Sequence, residues 1–111
     1  MLKPKLAVRF FRTSAGREPV REWLKGLGDV ERKAIGDDIR TVQFGWPLGM
    51  PLVRKMEEGI WEVRIDLQNA IARVLFTMHD GDAILLHGFI KKDRKTPRPD
   101  LETAKKRMKL L

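Results

Sequence analysis

The chain has 111 residues, 23 of them Lys or Arg and 15 Asp or Glu, for a net charge of +8. That length holds one domain, and a hydrophobic content of 42% suffices for one modest core and excludes a disordered chain. The lack of cysteine excludes a disulfide framework and a thiolate metal site, and two histidines do not make a histidine-rich one.

The opening residues, Met1-Leu2-Lys3-Pro4-Lys5-Leu6, lack the apolar run of a signal peptide. No stretch approaches the ~18 apolar residues that a membrane span requires. The expected location is the cytoplasm. Lys5 to Phe11 alternates, with Leu6, Val8 and Phe10 on one side, and reads as a short strand. Pro19 suits a first helical position, and Val20, Trp23, Leu24 and Leu27 then recur at helical spacing until Gly26 and Gly28 end the run. Asp29 is a candidate cap for a second helix, in which Ile35, Ile39 and Val42 share a face, closed by Gly45 and Pro47. Gly45 to Pro51 reads as a loop.

From Ile60 the period changes to two. Trp61, Val63, Ile65 and Leu67 fall on one face, and Glu62, Arg64 and Asp66 on the other. Gln68-Asn69 is a two-residue turn, Ala70 to Met78 a second strand, Asp80-Gly81 a strong hairpin turn, and Asp82 to Lys91 a third strand. After a break at Thr96 to Pro99, Leu101, Ala104 and Met108 mark a last helix, acidic at its start and basic at its end. The order is β-α-α-β-β-β-α. It implies one α+β domain over residues 1–111, with a helical hairpin and a C-terminal helix packed on a small, mainly antiparallel sheet. A domain of this size buries about 65% of its unfolded surface, which leaves its stability marginal without a partner.

The excess of positive charge points to a polyanion, although an anionic membrane surface or an acidic protein would satisfy the same sign. The first hairpin narrows this. With Gln68-Asn69 at its tip, Leu67 faces Ala70, Ile65 faces Ala72, Val63 faces Val74 and Trp61 faces Phe76, all apolar pairs. The opposite face then sets Arg64 against Arg73 and Glu62 against Leu75. Two arginines opposed across strands repel, at a cost of up to ~1 kcal/mol. Holding an anion between two guanidinium forks would give that arrangement a use. The competing reading is an ordinary solvated face, its arginines neutralised diagonally by Glu62 or Asp66. Continuing through Asp80-Gly81 sets Gly88 opposite Arg73, with space above the arginine, and places Lys92 on the same side. His87 falls on the apolar face by this count, as a core histidine. Lys91, Lys92, Arg94, Lys95 and Arg98 form a basic run at the strand exit, with Asp93 inside it, and Arg54 and Lys55 a second cluster before the hairpin. Flanking the arginine pair, they would line one groove for a phosphate backbone. Gly-rich phosphate loops, a Ser-His-Asp set, a zincin motif and an acidic metal triad have no match in the sequence. Catalysis, if present, would rest on cations and a carboxylate, with no metal and no cofactor.

The segments Gly59-Ile60-Trp61-Glu62-Val63-Arg64, Ile71-Ala72-Arg73-Val74-Leu75-Phe76 and His87-Gly88-Phe89-Ile90-Lys91-Lys92, with Lys95-Thr96-Pro97 and the early Phe11-Arg12-Thr13, resemble HigB-type toxins of the RelE/ParE superfamily, in its phage-derived toxin-like branch. The resemblance covers nearly the whole chain. It implies a RelE-like fold and a type II toxin that cleaves messenger RNA, usually on the ribosome, and is neutralised by a helix-turn-helix antitoxin of the HigA type. By position, Arg64 and Arg73 match basic active-site residues, and Lys91 or Lys92 a third. Glu62 stands where some relatives carry lysine, and the tyrosine that some place near the chain end is absent. On this reading Arg64 and Arg73 hold the phosphate, Lys92 the backbone or leaving group, and Glu62 or His87 carries the proton. Arg54, Lys55, Lys91, Arg94 and Lys95 bind the RNA strand. The rival readings are a ParE-like gyrase inhibitor, which has no need of a phosphate site, and a non-catalytic RNA-binding relic of a toxin.

Overall fold

A computed structural model describes residues 3–49 and 51–111. Among these residues the chain forms β1 (Ala7–Phe10), α1 (Pro19–Lys25), α2 (Asp29–Gly45), β2 (Val53–Glu57), β3 (Ile60–Asp66), β4 (Ile71–His79), β5 (Asp82–Lys91) and α3 (Arg98–Met108). The sheet order is β1-β5-β4-β3-β2, and only β1 and β5 run parallel. The α+β class and the helical hairpin match the expectation. β2 is an addition to it. Arg54 and Lys55 sit in the middle of this strand and break its apolar pattern, which an edge strand tolerates because one of its flanks faces water.

Local chemistry sets most boundaries. Pro19 opens α1 with a φ already helical, and the N–H that proline lacks would have had no helical carbonyl to bond at this first position. Gly28, not Asp29, occupies the cap position of α2, so Asp29 acts from the first turn, where its charge favours the helix dipole. The β3–β4 hairpin closes with the Leu67 amide donating to the Ala70 carbonyl at 2.9 Å, and its register sets Arg64 against Arg73 and Trp61 against Phe76 as expected. Asp80 and Gly81 both hold positive φ, 50° and 82°, the combination that a tight hairpin turn with right-handed twist demands.

The second hairpin departs from the regular count. Phe76 pairs with Leu85 but Leu75 pairs with His87, so Leu86 is an extra residue, a bulge that reverses the facing of every later side chain. Phe89, not Gly88, therefore stands opposite Arg73, and Gly88 faces Val74 on the α1–α2 side. Any Cβ at Gly88 would penetrate the ring of Trp23, so this glycine makes room for the tryptophan rather than for a ligand.

Both sheet faces are covered. Ile35 and Val42 of α2 pack on Val63, Ile65, Val74, Phe76 and Leu85, while Ala104 of α3 packs on Ile60, Leu75, Ile84, Leu86 and Phe89. Apolar residues on both sides make β4 a nearly continuous hydrophobic run, as expected of a strand enclosed by two layers. Covering the second face brings the β5–α3 loop, residues 92–97, back across the strands that carry Glu62, Arg64 and Arg73. No helix among the described residues is long and apolar enough to cross a membrane.

Candidate nucleic-acid interface

The expectation of two open guanidinium forks is corrected at Arg73. Its side chain is wholly buried, and its two terminal nitrogens donate to the backbone carbonyls of Asp93 and Lys95. The guanidinium also lies 5.8 Å from the centroid of Phe89. Burial lowers the Arg73 pKa and the nearby Glu62 carboxylate opposes that shift, but an arginine keeps its proton in either case. Glu62 is equally buried. Its Oε2 accepts from the Thr96 hydroxyl, and its Oε1 has no hydrogen-bond partner and lies 3.8 Å from Arg64 Nε. Arg64 keeps 18% of its side chain exposed and makes a long contact, 3.4 Å, to the Arg94 carbonyl. Arg73, Glu62 and Arg64 thus hold down four consecutive loop residues, Asp93 to Thr96. The signal for this burial was present in sequence: Leu75, Ile84, Leu86 and Phe89 on that face need a cover, and the Leu101, Ala104, Met108 stripe supplies one.

The loop presents cations outward. Lys91, Lys92, Arg94 and Lys95 are exposed, and the first ends the β5 ladder opposite Ile71, on the face of Arg73. Arg54 pairs with Glu62 across β2 and β3 and so joins this face at the opposite edge. Lys55 points to the other face, 5.9 Å from the Trp61 ring centroid, and is separate from the rest. Among the described residues none of these six cations makes an ion pair, whereas Arg98, the last of the expected basic run, opens α3 and lies 3.8 Å from Glu102. Four cations of the first two helices and their flanks also pair, Arg17 with Glu22, Arg21 with Glu18 at 3.2 Å, Arg32 with Asp29 at 2.5 Å and Lys33 with Asp37 at 2.7 Å, while among the same described residues Lys25 and Arg40 do not. The loop and the edge strand therefore present a group of unneutralised cations on the face of Arg64, a distribution that attracts an anionic strand.

His87 stands apart from this group, and the bulge moves it from the expected core face to the α3 side. Its Nε2 lies 2.6 Å from Asp100 Oδ1, and Arg107 Nη1 approaches its Nδ1 at 3.4 Å while donating to the Leu86 carbonyl at 2.7 Å. Stacked on Phe89, the imidazole ties both ends of α3 to the sheet. Glu62, Leu75 and His87 lie in one cross-strand row, which sets the first and last about 10 Å apart at two strand spacings. The two proposed proton carriers do not converge. Asp100, Arg107 and Thr96 were not among the residues singled out from sequence; only Thr96, inside the Lys95-Thr96-Pro97 segment, lay within a quoted motif.

A cleft of about 290 Å³ opens beside Arg64, lined also by Asp38 of α2, by Pro51 and Leu52 before β2, and by Asp66 of β3. Burial raises the Asp38 pKa, and the charges of Asp37 and Asp66 push it the same way. Residues 22–109, about four-fifths of the chain, match the family model described as Phage derived protein Gp49-like (DUF891). That span runs from within α1 to just past α3 and includes the cation-rich edge and the cleft. No curated protein matches the chain. The chain belongs to the phage-derived Gp49-like family.

Proposed function

We propose that this protein is the toxin of a toxin–antitoxin pair, a cytoplasmic, metal-independent endoribonuclease of the HigB kind within the RelE/ParE superfamily. It would cut messenger RNA on the ribosome and be silenced by a helix-turn-helix antitoxin. Membership of a phage-derived family that fits the toxin-like branch supports the class. The observation that carries the RNA reading is the gathering of Arg54, Lys91, Lys92, Arg94 and Lys95, exposed and unpaired among the described residues, around the half-open Arg64.

RNA supplies the nucleophile in this chemistry. The 2′-hydroxyl oxygen attacks the adjacent phosphorus, the bond from phosphorus to the 5′-oxygen breaks, that oxygen leaves as a 5′-hydroxyl with a proton from water, and a 2′,3′-cyclic phosphate remains. The protein must orient the strand and stabilise charge on the phosphoryl oxygens. In the proposal Arg64 takes that role, the loop cations Lys92, Arg94 and Lys95 bind the flanking strand, and Arg73 positions the loop from below. Glu62, buried beneath that loop, orients Arg64 through its unpartnered Oε1, and the 2′-hydroxyl proton passes to water. His87, fixed by Asp100 and Arg107, serves the docking of α3.

The test is induced expression with mapping of RNA ends in translating cells. New internal ends bearing cyclic phosphates are expected, and Arg64→Ala should slow their appearance about a hundredfold, the cost of one well-placed charge donor. Growth arrest without new RNA ends would overturn the nuclease reading, and accompanying DNA damage would favour a gyrase inhibitor. The burial of both Glu62 and Arg73 favours one second reading, an RNA-binding protein that does not cut; binding without new ends would establish it.

A further inference from the structure

The geometry points to the cleft beside Arg64 as a nucleobase pocket that selects guanine next to the phosphate held by that arginine. This inference rests on the RNA reading above and adds to it a base preference. The cleft joins three charged side chains with an apolar wall: Arg64 and Asp66 from β3, Asp38 from α2, and Leu52 with Pro51. Arg64 and the two carboxylates line one space, yet among the described residues neither Asp38 nor Asp66 makes an ion pair or a side-chain hydrogen bond. Arg64 instead turns toward Glu62 and the Arg94 carbonyl. The cleft therefore keeps two acceptors unused beside a cation that reaches the loop of exposed positive charge.

Strand parity explains the arrangement. Arg64 and Asp66 are two residues apart on one strand and so share a face, about 6.6 Å apart along it. That spacing is close to the distance from a nucleotide's phosphate to its base. A phosphate repels a carboxylate, so Asp66 has no use in a site built for backbone alone. A base edge bearing N–H donors is what it can accept. Guanine offers two parallel donors, N1–H and the N2 amino group, to one carboxylate; cytosine and adenine offer one amino group, and uracil a single imide N–H. Asp38, whose proton is held more tightly than usual, lies alongside as a second polar contact, and Leu52 and Pro51 give the ring an apolar flank. The volume of about 290 Å³ is ample for one purine.

The experiment measures binding of the full chain to uncleavable 2′-O-methyl hexanucleotides, all uridine or with one central guanosine, inosine or cytidine. The guanosine hexamer should bind about tenfold more tightly than the uridine hexamer, the scale of one bidentate base contact. Inosine, which lacks the N2 amino group, should lose most of that advantage. Asp66→Asn should bring guanosine and uridine hexamers to within about twofold of one another, because an amide offers one acceptor where the carboxylate offers two. Equal binding of all four hexamers would overturn the pocket while leaving the RNA reading intact. So would a guanosine advantage that survives in Asp66→Asn. Failure of every hexamer to bind would remove the pocket and the RNA reading together.

Discussion

Arg64 and Arg73 are direct neighbours across β3 and β4, yet Arg73 is closed beneath a loop and Arg64 opens onto a cleft. Their repulsion is relieved by separation of roles. The Arg73 fork spends its charge on the carbonyls of Asp93 and Lys95, whose partial negative charges it neutralises, and Arg64 is left beside the buried Glu62.

The first prediction follows from that division. Arg73→Ala removes a buried, hydrogen-bonded cation and strands two carbonyls and the Glu62 charge, so it should destabilise the fold by about 3 kcal/mol. Arg73→Lys should cost less but still fail to span both carbonyls, because an ammonium lacks the planar fork. Arg64→Ala should cost less than Arg73→Ala, since both contacts of Arg64 are long and its own side chain keeps some exposure. Urea unfolding of the three variants checks the order. An Arg73→Ala protein as stable as the parent would refute the anchoring role.

The hairpin register from Trp61 to Phe76 was legible because apolar residues paired with apolar ones through a fixed two-residue tip, which left one solution. The second hairpin was misread by one residue, since Leu86 is as apolar as the neighbours it interrupts and a bulge leaves no mark in hydrophobicity. That single slip misplaced Gly88, His87 and the cover over Arg73. β2 was hidden for a different reason: its two central residues are charged, and an edge strand takes its pairing from the neighbour rather than from its own pattern. Of the site, the cations were plain from composition. The cleft was not, because Asp38 and Asp66 meet only in the tertiary fold.

Gly88 gives the second prediction. A methyl group there would enter the space of the Trp23 ring, so Gly88→Ala should cost roughly 1–3 kcal/mol through overpacking. In a Trp23→Leu background, where the ring is absent, the same substitution should be nearly neutral. Thermal melts of the four proteins form a double-mutant cycle with a coupling energy of about 1 kcal/mol or more. A cost that persists without the ring would mean that backbone conformation, not Trp23, requires the glycine.

Asp38 gives a prediction in pH. Its carboxyl holds a proton more tightly in the folded protein than in the unfolded chain, for reasons of burial first and of Asp37 and Asp66 next. Between the ordinary aspartate value and the raised one, the folded state binds more protons, so this group's contribution is full below that window and is lost as pH rises through it. Asp38→Asn carries no such loss. The variant should match the parent in acid and exceed it in stability near neutrality, as read from urea midpoints across pH. A parent that gains on the variant as pH rises would reverse the sign and sink the argument.

The last prediction concerns salt. Each unpaired cation that meets an RNA phosphate releases condensed counterions, so the slope of log affinity against log salt counts the contacts, at about 0.7 per phosphate for single strands. Replacing Arg54, Arg94 and Lys95 by alanine should therefore flatten the slope by about 2 on a uridine oligomer. Replacing Arg17, Arg21 and Lys33, whose charges are already spent on Glu22, Glu18 and Asp37, removes the same formal charge from the far layer. If net charge alone drove binding, the two triple variants would lose affinity and slope alike. If the edge formed by the loop and β2 is the docking surface, only the first set flattens the slope, and the second leaves it within about half a unit of the parent.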